Sequence, residues 1–545
     1  MKIAVIVDDG RVKRFALEAL DAVDGADEVT VFSCTNTRSR KRWLRHGAYY
    51  ALNLVTIRNR MTRTVAVTAG KKAVARVVDF ESIYDGAWQE FPADVVAELK
   101  SGGFDVILKF GMGLLRVPPG DMLPIPILSF HHGDPDLYRG RPAGFWEIVD
   151  GAPVMGQIVQ VIGNRLDAGE VVAFAETKVY PWSYRKTLIE AYRHSPFLID
   201  RAVRNALAAT HLPKRRDGRN RRLPSNTTVF AFVARMAWRF ARRLAYGAFV
   251  EKKWRVSAVS LAPTQMERAI EGRQFPPSDQ WRTFSVARGY TFYADPFFAD
   301  DAGNILVEAV DGRSGLGEIL LLSRSGHRRL IREAGHISYP ATARINGRPI
   351  IVPECAGWSD PRVYEWQDEA ARLKATLKIE GGGRILDPTL FEWNGRIYLF
   401  GNRRDVGTNV LHLWSARAID DPFVLHPASP IRISPSGARM GGAVTMLGSR
   451  LIRFGQDFSR GYGDGLVVFE IELLTEGDYR ERVIGTMRFA DRNGPHTANL
   501  ADGEMVFDWY ADRFSPFAGL RRLAARLAGG MPALNGRRSG RGASA

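Results

Sequence analysis

From residue 294 onward the chain repeats itself, and a fixed repeat constrains architecture more tightly than any local pattern. The segments ADPFFADDAGNILVEAV (294–310), YPATARINGRPIIVPEC (339–355) and LDPTLFEWNGRIYLFGN (386–402) are variants of one unit. GGAVTMLGSRLIRFGQD (441–457) and PHTANLADGEMVFDWY (495–510) are weaker copies. Each reads as a strand, a Gly-containing turn and a second strand. In the first three, Pro296, Pro340 and Pro388 precede Gly303, Gly347 and Gly395 by seven residues. The copies start 45, 47, 55 and 54 residues apart, the length of one four-stranded propeller blade. Five copies predict an all-β five-bladed propeller over residues 256–510, the alternative being an irregular β-sandwich.

The first 210 residues follow another rhythm. KIAVIV, EVTVFS, FDVILKF and PILSFHH are strand-like, and RFALEALDAV between them has helical spacing. Such alternation predicts an α/β domain with a parallel sheet covered by helices. A charged stretch rich in Gly and Pro, KRRDGRNRRLPSN, closes this region. The expected organisation is therefore an α/β domain (1–210), a basic amphipathic linker helix (211–255), the propeller (256–510), and a basic amphipathic C-terminal segment with a disordered tail (511–545). Two cysteines, Cys34 and Cys355, in 545 residues exclude a disulfide scaffold and a cysteine metal cluster, and fit a reducing compartment. There is no run of 18 apolar residues, and MKIAVIVDDG lacks the features of a signal peptide. The expectation is a cytoplasmic protein, peripheral on the inner membrane face.

The charge pattern supports that placement. There are 76 basic and 59 acidic residues, net +17. Residues 214–255 carry +11, residues 36–64 carry +8 and residues 513–545 carry +7, so the rest of the chain nets −9. The basic stretches are also aromatic and amphipathic. In residues 228–250, Arg235, Arg239, Arg242 and Arg243 fall within an arc of about 100° on a helix, opposite Val229, Val233, Met236, Phe240 and Leu244. Segments 36–64, 228–250 and 513–530 are thus expected to meet an anionic membrane surface, the plain alternative being a packed linker helix with solvated charges. With an acidic body and no recognisable nucleic-acid module, no nucleic-acid partner is expected.

Two adjacent histidines end a strand in SFHHGDPDLYRGRPAGFWEIVDG, and LDAGEVV follows a second strand. In open parallel sheets ligands sit beyond the carboxyl ends of strands, where a His can move protons near neutral pH. This segment resembles the formyltetrahydrofolate-dependent formyltransferases, with Tyr138-Arg139-Gly140 and Leu166-Asp167-Ala168-Gly169 carrying the likeness across roughly residues 1–205. The resemblance implies a catalytic His131 oriented by Asp167, and a folate cradle at Phe110, Gly111, Met112, Gly113 and Leu114. It also implies substrate contacts from Tyr138 and Arg139. The family's oxyanion-holding Asn falls on Ser129, with His132 as a further donor, and Gly133-Asp134-Pro135-Asp136 replaces the family's loop.

In the second half, Asp295 and Asp387 hold equivalent repeat positions, with Tyr339 between them after His336. Glu308, Glu354 and Asp457 lie near the ends of second repeat strands. Carboxylates converging on a propeller funnel accept hydrogen bonds from sugar hydroxyls, and a suitably spaced pair cleaves glycosides; Asp before Pro also simply starts turns. ADPF, HISYP, VPE, LDPTLF, GQD and YGDGLVVFEIELLTEGDYRE are similar to the N-terminal region of plant glucosamine inositolphosphorylceramide transferases and, more distantly, to five-bladed glycoside hydrolases.

The expected function is transfer of a formyl group from formyltetrahydrofolate to an amino sugar of a nucleotide- or lipid-linked glycan held by the propeller. No metal is expected. The alternative is a catalytically inactive formyltransferase fold whose propeller acts as a glycoside hydrolase or transglycosylase, or as a glycan-binding module.

Overall fold

The computed structural model describes all residues except 27, 38–42, 166–168, 214–217, 301–302, 368–369, 502 and 528–545. The chain divides into two compact units, Met1–Arg242 and Arg243–Ala545.

In the first unit, strands Ala73–Phe80, Glu28–Cys34, Ile3–Asp8, Val106–Lys109 and Ile127–His131 lie side by side and parallel. Ile3–Asp8 is central, and Ile3 through Val7 are buried on both faces, as a continuous apolar run in a covered sheet must be. One face packs against the helix Ala93–Ser101 through Val95, Val96 and Leu99. The sheet departs from the all-parallel expectation in two places: Arg11–Lys13 folds back antiparallel to Ile3–Asp8 and pairs with Thr64–Ala66, and one edge is antiparallel as well. Val154–Val161 and Glu170–Lys178 are antiparallel to their neighbours, the second because the short link between them permits only a hairpin. Two helices, Tyr184–Arg193 and Ser195–Leu207, follow, the first capped by Ser183 Oγ on the Lys186 amide at 3.3 Å.

The expected linker is partly structural. Arg219–Arg221 forms a strand parallel to Tyr138–Gly140, so the first unit continues past residue 210. Gly140 allows this approach: at φ 85° its backbone is left-handed, and a Cβ there would sit 2.2 Å from the Arg221 carbonyl oxygen. The helix Asn226–Phe249 then buries Val229 and Phe232 in a core with Phe145 and Tyr184.

Among its described residues, the second unit contains five antiparallel sheets of four or five strands. Four follow the chain in order: Tyr290–Ile331, Ser338–Thr376, Ile385–Ile433 and Ser436–Met487. The fifth joins the two ends of the unit. Val250–Ser260 pairs along its whole length with Glu504–Phe514, so the sheet-bearing region exceeds residues 256–510. That pairing also ties the first strand of the unit to the last copy of the repeat.

The repeat has a backbone signature. Asp295, Tyr339 and Asp387 have φ of 48°, 45° and 46°, and Gly437 has 89° at the same position of the fourth sheet. Each lies where the ladder register slips, between Ala294 and Phe297, Ser338 and Ala341, Leu386 and Thr389, and Ser436 and Arg439. A bulge re-aims the side chain that follows it, and a left-handed non-glycine residue costs about 1–2 kcal/mol. Three such residues at one repeat position mark strain kept for a purpose.

Candidate functional site

At the carboxyl end of the first unit's sheet, Ser129 pairs in register with Lys109 on one side and Gln160 on the other. Side chains alternate along a strand, so Ser129, His131 and Lys109 share one face while Phe130 and His132 share the other. The His131 imidazole rests against the Tyr138 carbonyl, Nε2 to O at 3.3 Å. Lys109 donates to the Gly113 carbonyl at 3.0 Å, and desolvation lowers its amine to about 8 against the opposing pull of Asp8. Asp8 in turn accepts the Met112 amide at 2.8 Å and pegs the 110–114 turn.

Three sequence expectations need correction here. His132 cannot back up Ser129, because it points to the opposite face, among Phe15, Phe130 and Tyr192 at ring distances of 5.3, 5.7 and 4.7 Å. Its Nε2 is buried without a partner, and desolvation with help from His131 lowers its pKa to about 3, so it is a neutral packing residue. Gly111 and Met112 serve the turn itself: a Cβ on Gly111 would lie 2.4 Å from the Val7 backbone, and Met112 is fully buried. Phe110, Gly113 and Leu114 remain at or near the surface. Tyr138 is occupied as well. Its hydroxyl bonds to Asp150, which pairs with Arg221 at 2.5 Å, and burial next to these acids raises the phenol to about 12. Arg139 sits on the same short strand, in register with Asn220. Asp167 lies outside the described residues.

The second unit brings its predicted residues together. Asp295 and Asp387 both emerge from the strained positions, and Glu308 and Glu354 pair in register with the residues just before Asp295 and Tyr339. The Asp387 carboxylate takes a two-pronged grip from Arg439, Nε at 2.5 Å and Nη2 at 3.0 Å, and a further bond from Gln456 at 2.9 Å. Glu354 accepts the Asp387 amide at 3.1 Å and lies 3.4 Å from the same guanidinium. Asp295 accepts Thr497 Oγ1 at 2.6 Å and faces His496 Nδ1 at 3.1 Å. Asp508 shares that imidazole nitrogen at 3.3 Å and accepts the backbone amides of Asp295, His496 and Thr497. His336 Nδ1 accepts the Gly317 amide at 2.8 Å, so its proton is on Nε2, 3.4 Å from Glu308.

These contacts sort the acids into two protonation states. Burial, reinforced by the Asp295 charge, keeps Glu308 protonated well above the usual carboxylate range. Burial and the Asp387 charge do the same to Glu354. Burial would raise Asp295 too, but His496 outweighs it and Asp295 is held low. Burial works against a charged His496, yet Asp295 and Asp508 raise it to about 10. Neutral acids thus adjoin an ionised one, the arrangement an acid–base pair requires. The side chains of Glu354 and Arg439 are each 16% exposed and Tyr462 is 47% exposed, so the cluster reaches solvent on that side.

Asp295, His496 and Asp508 lie within cation-binding distance of one another, but their facing atoms already satisfy each other. Tyr339, which holds the acid position in the second sheet, is buried and hydrogen-bonded to Gly442 and Thr389. Asp457 belongs to the repeat but is committed to Arg488 at 2.5 Å and to the Ser459 amide.

Comparison with known proteins bears on the second unit. The family model for the N-terminal region of glucosamine inositolphosphorylceramide transferase 1 matches residues 329–500. That span holds Glu354, Asp387, Arg439, Tyr462 and His496. The enzyme of that name from Oryza sativa subsp. japonica is 29% identical over 162 residues, 27% of this chain and 21% of the rice protein. The Arabidopsis thaliana protein is 27% identical over 180 residues, 31% of this chain and 22% of its own. The chain therefore spans about a fifth of the length of the curated relatives it matches. Among solved structures, a glycinamide ribonucleotide transformylase 1 from Symbiobacterium toebii is 18% identical with a TM-score of 0.26, covering 41% of this chain and 93% of that one. The RS223 β-xylosidase is 12% identical with a TM-score of 0.28, covering 38% and 81%.

Sequence reasoning missed Arg439, His496, Asp508, Gln456 and Tyr462. One signal was available for Asp508. Aligning second repeat strands puts Glu308, Glu354, Asn402, Asp457 and Asp508 at one position. Nothing comparable pointed to Arg439 or His496, whose sheets carry the weakest copies.

Proposed function

We propose that the chain is a glycan-modifying transferase, that the five sheets of its second unit form a five-bladed propeller, and that the Asp295–Glu308–Glu354–Asp387 cluster takes the sugar. One observation carries this reading: buried carboxyl groups in opposite protonation states stand together beside a solvent-reaching edge. Glu354, holding its proton, donates to the oxygen that leaves a glycosidic carbon. Asp295, kept ionised by His496, accepts the proton of the incoming hydroxyl. Arg439 keeps Asp387 paired, and Asp387 in turn keeps Glu354 protonated. The relatives are named for glucosamine and inositolphosphorylceramide, which supports a sugar-bearing lipid as the substrate class. The test is release or transfer of sugar from such glycolipids by the wild type, Asp295→Asn and Glu354→Gln. Equal rates in all three would remove the cluster from the chemistry.

Formyl transfer is a second reading, favoured by the hydroxyl of Ser129, the imidazole of His131 and the low-pKa amine of Lys109 on one face of the first unit's sheet. A turn pegged by Asp8 leaves Phe110, Gly113 and Leu114 at or near the surface, and these three residues would hold a folate. Bound formyltetrahydrofolate would supply the formyl group. His131 would take the proton of an attacking amine, and Ser129 would donate to the developing oxyanion. Titration with a folate analogue tests this. Absence of binding, or folate turnover that survives His131→Ala, would overturn it.

A further inference from the structure

The helix Asn226–Phe249 carries two apolar faces, and the fold uses one. Val229, Phe232 and Met236 face the core of the first unit. A second row, Phe230, Ala234, Ala237, Trp238, Ala241 and Leu244, lies on another side of the helix, with Phe230 69%, Trp238 66% and Leu244 57% exposed. Single exposed hydrophobics are ordinary, but an apolar stripe sustained over four turns is not.

Its border is cationic. Arg235 and Arg242 flank the stripe and make no hydrogen bond or ion pair with any described residue. Arg235 and Arg239 also line a cleft of about 320 Å³, with Ile148, Val149 and Phe232 as its apolar wall. Long arginine stems can lie along apolar surface while their charged ends reach upward, the geometry of an interfacial helix.

The second unit repeats this chemistry on its own residues. The helix Ala518–Leu527 presents Leu520 and Leu523 at 63% and 53% exposure, and Phe514 and Phe517 just before it are 72% and 59% exposed. It is secured to the end of the long helix by Arg522, whose guanidinium donates to the carbonyls of Gly247 and Val250 at 2.5 and 2.6 Å. No described helix is long and apolar enough to cross a membrane.

We propose that the exposed side of Asn226–Phe249 docks onto an anionic lipid bilayer, Phe230 and Trp238 entering the acyl boundary and Arg235 and Arg242 meeting lipid phosphates. Charge complementarity selects this occupant: residues 214–255 carry +11 while the body outside the three basic stretches is acidic. The inference is independent of the sugar site. Sedimentation of the full chain with phosphatidylcholine vesicles, with and without phosphatidylserine, tests it. Wild type should bind the anionic vesicles and lose binding with salt. Arg235→Gln and Arg242→Gln should each weaken binding roughly fivefold. Phe230→Glu with Trp238→Glu should weaken it at least tenfold, while circular dichroism stays that of the wild type because all four side chains are exposed. Lack of wild-type binding at low salt would overturn the proposal, as would binding indifferent to the glutamate pair. So would light scattering showing a dimer that those glutamates dissolve, since a second copy would then be the occupant.

Discussion

Two enclosed imidazoles, one per unit, have been driven in opposite directions. His132 lies among Phe15, Phe130 and Tyr192, and the loss of water leaves it neutral, with a pKa of about 3. His496 is buried just as well, yet two carboxylates hold it cationic to about 10. Burial removes water in both cases, and the neighbours decide what replaces it. The first unit surrounds His132 with aromatic side chains. The second pairs Asp387 with Arg439 and Asp295 with His496, and holds neighbouring carboxyls in different protonation states.

The comparison can be broken at several points. The largest expected effect is on activity: Glu354→Gln and Asp295→Asn should each slow sugar transfer or release by about 10²–10⁴-fold while leaving circular dichroism unchanged. Next is the ion pair of Arg453, fully buried, with Glu481 at 2.9 Å on both prongs. Arg453→Met should cost about 3–5 kcal/mol in urea unfolding, because Glu481 is left charged and enclosed. Replacing both partners by apolar residues should cost less.

The two histidines give mirror-image pH effects. His496 has a raised pKa in the folded chain, so its contribution is complete below the unfolded value of 6.5 and is lost as pH rises through about 10. The alkaline fall in urea midpoint should therefore be shallower in His496→Asn. His132 has a lowered pKa, so its neutral form supports the fold above pH 6.5, and stability falls as the pH drops from there toward about 3. His132→Phe should flatten the acid limb, leaving the part due to groups such as His194 and His412, which are likewise lowered to about 4. This last effect is the smallest, since the ring is replaced by one of similar shape. If both substitutions altered the same limb, the contrast between the units would be lost.

Much of this was legible in the residues. The alternation of KIAVIV, EVTVFS and FDVILKF with helical segments reported an α/β unit, because strand and helix periods differ. The Pro-to-Gly spacing located the strained positions, and Asp295, Glu308, Glu354 and Asp387 do meet. His132 was misjudged because strand register, not adjacency to His131, decides which face a residue occupies. The 211–255 segment was read as a linker on its charge, yet Arg219–Arg221 joins a strand of the first unit. The face of Asn226–Phe249 that became buried was likewise open, since Val229, Phe232 and Phe230 are all apolar and only the neighbouring core selects among them.

By itself the sequence set the order of elements, the five-copy repeat and the kinds of side chain each copy contributes, because these depend on local periodicity and turn chemistry. Protonation was decided only in three dimensions. Thr497 reaches Asp295 across 202 residues, and Arg439 reaches Asp387 across 52. Coulomb energy depends on distance through space and on the water excluded around it, and neither is written along the chain.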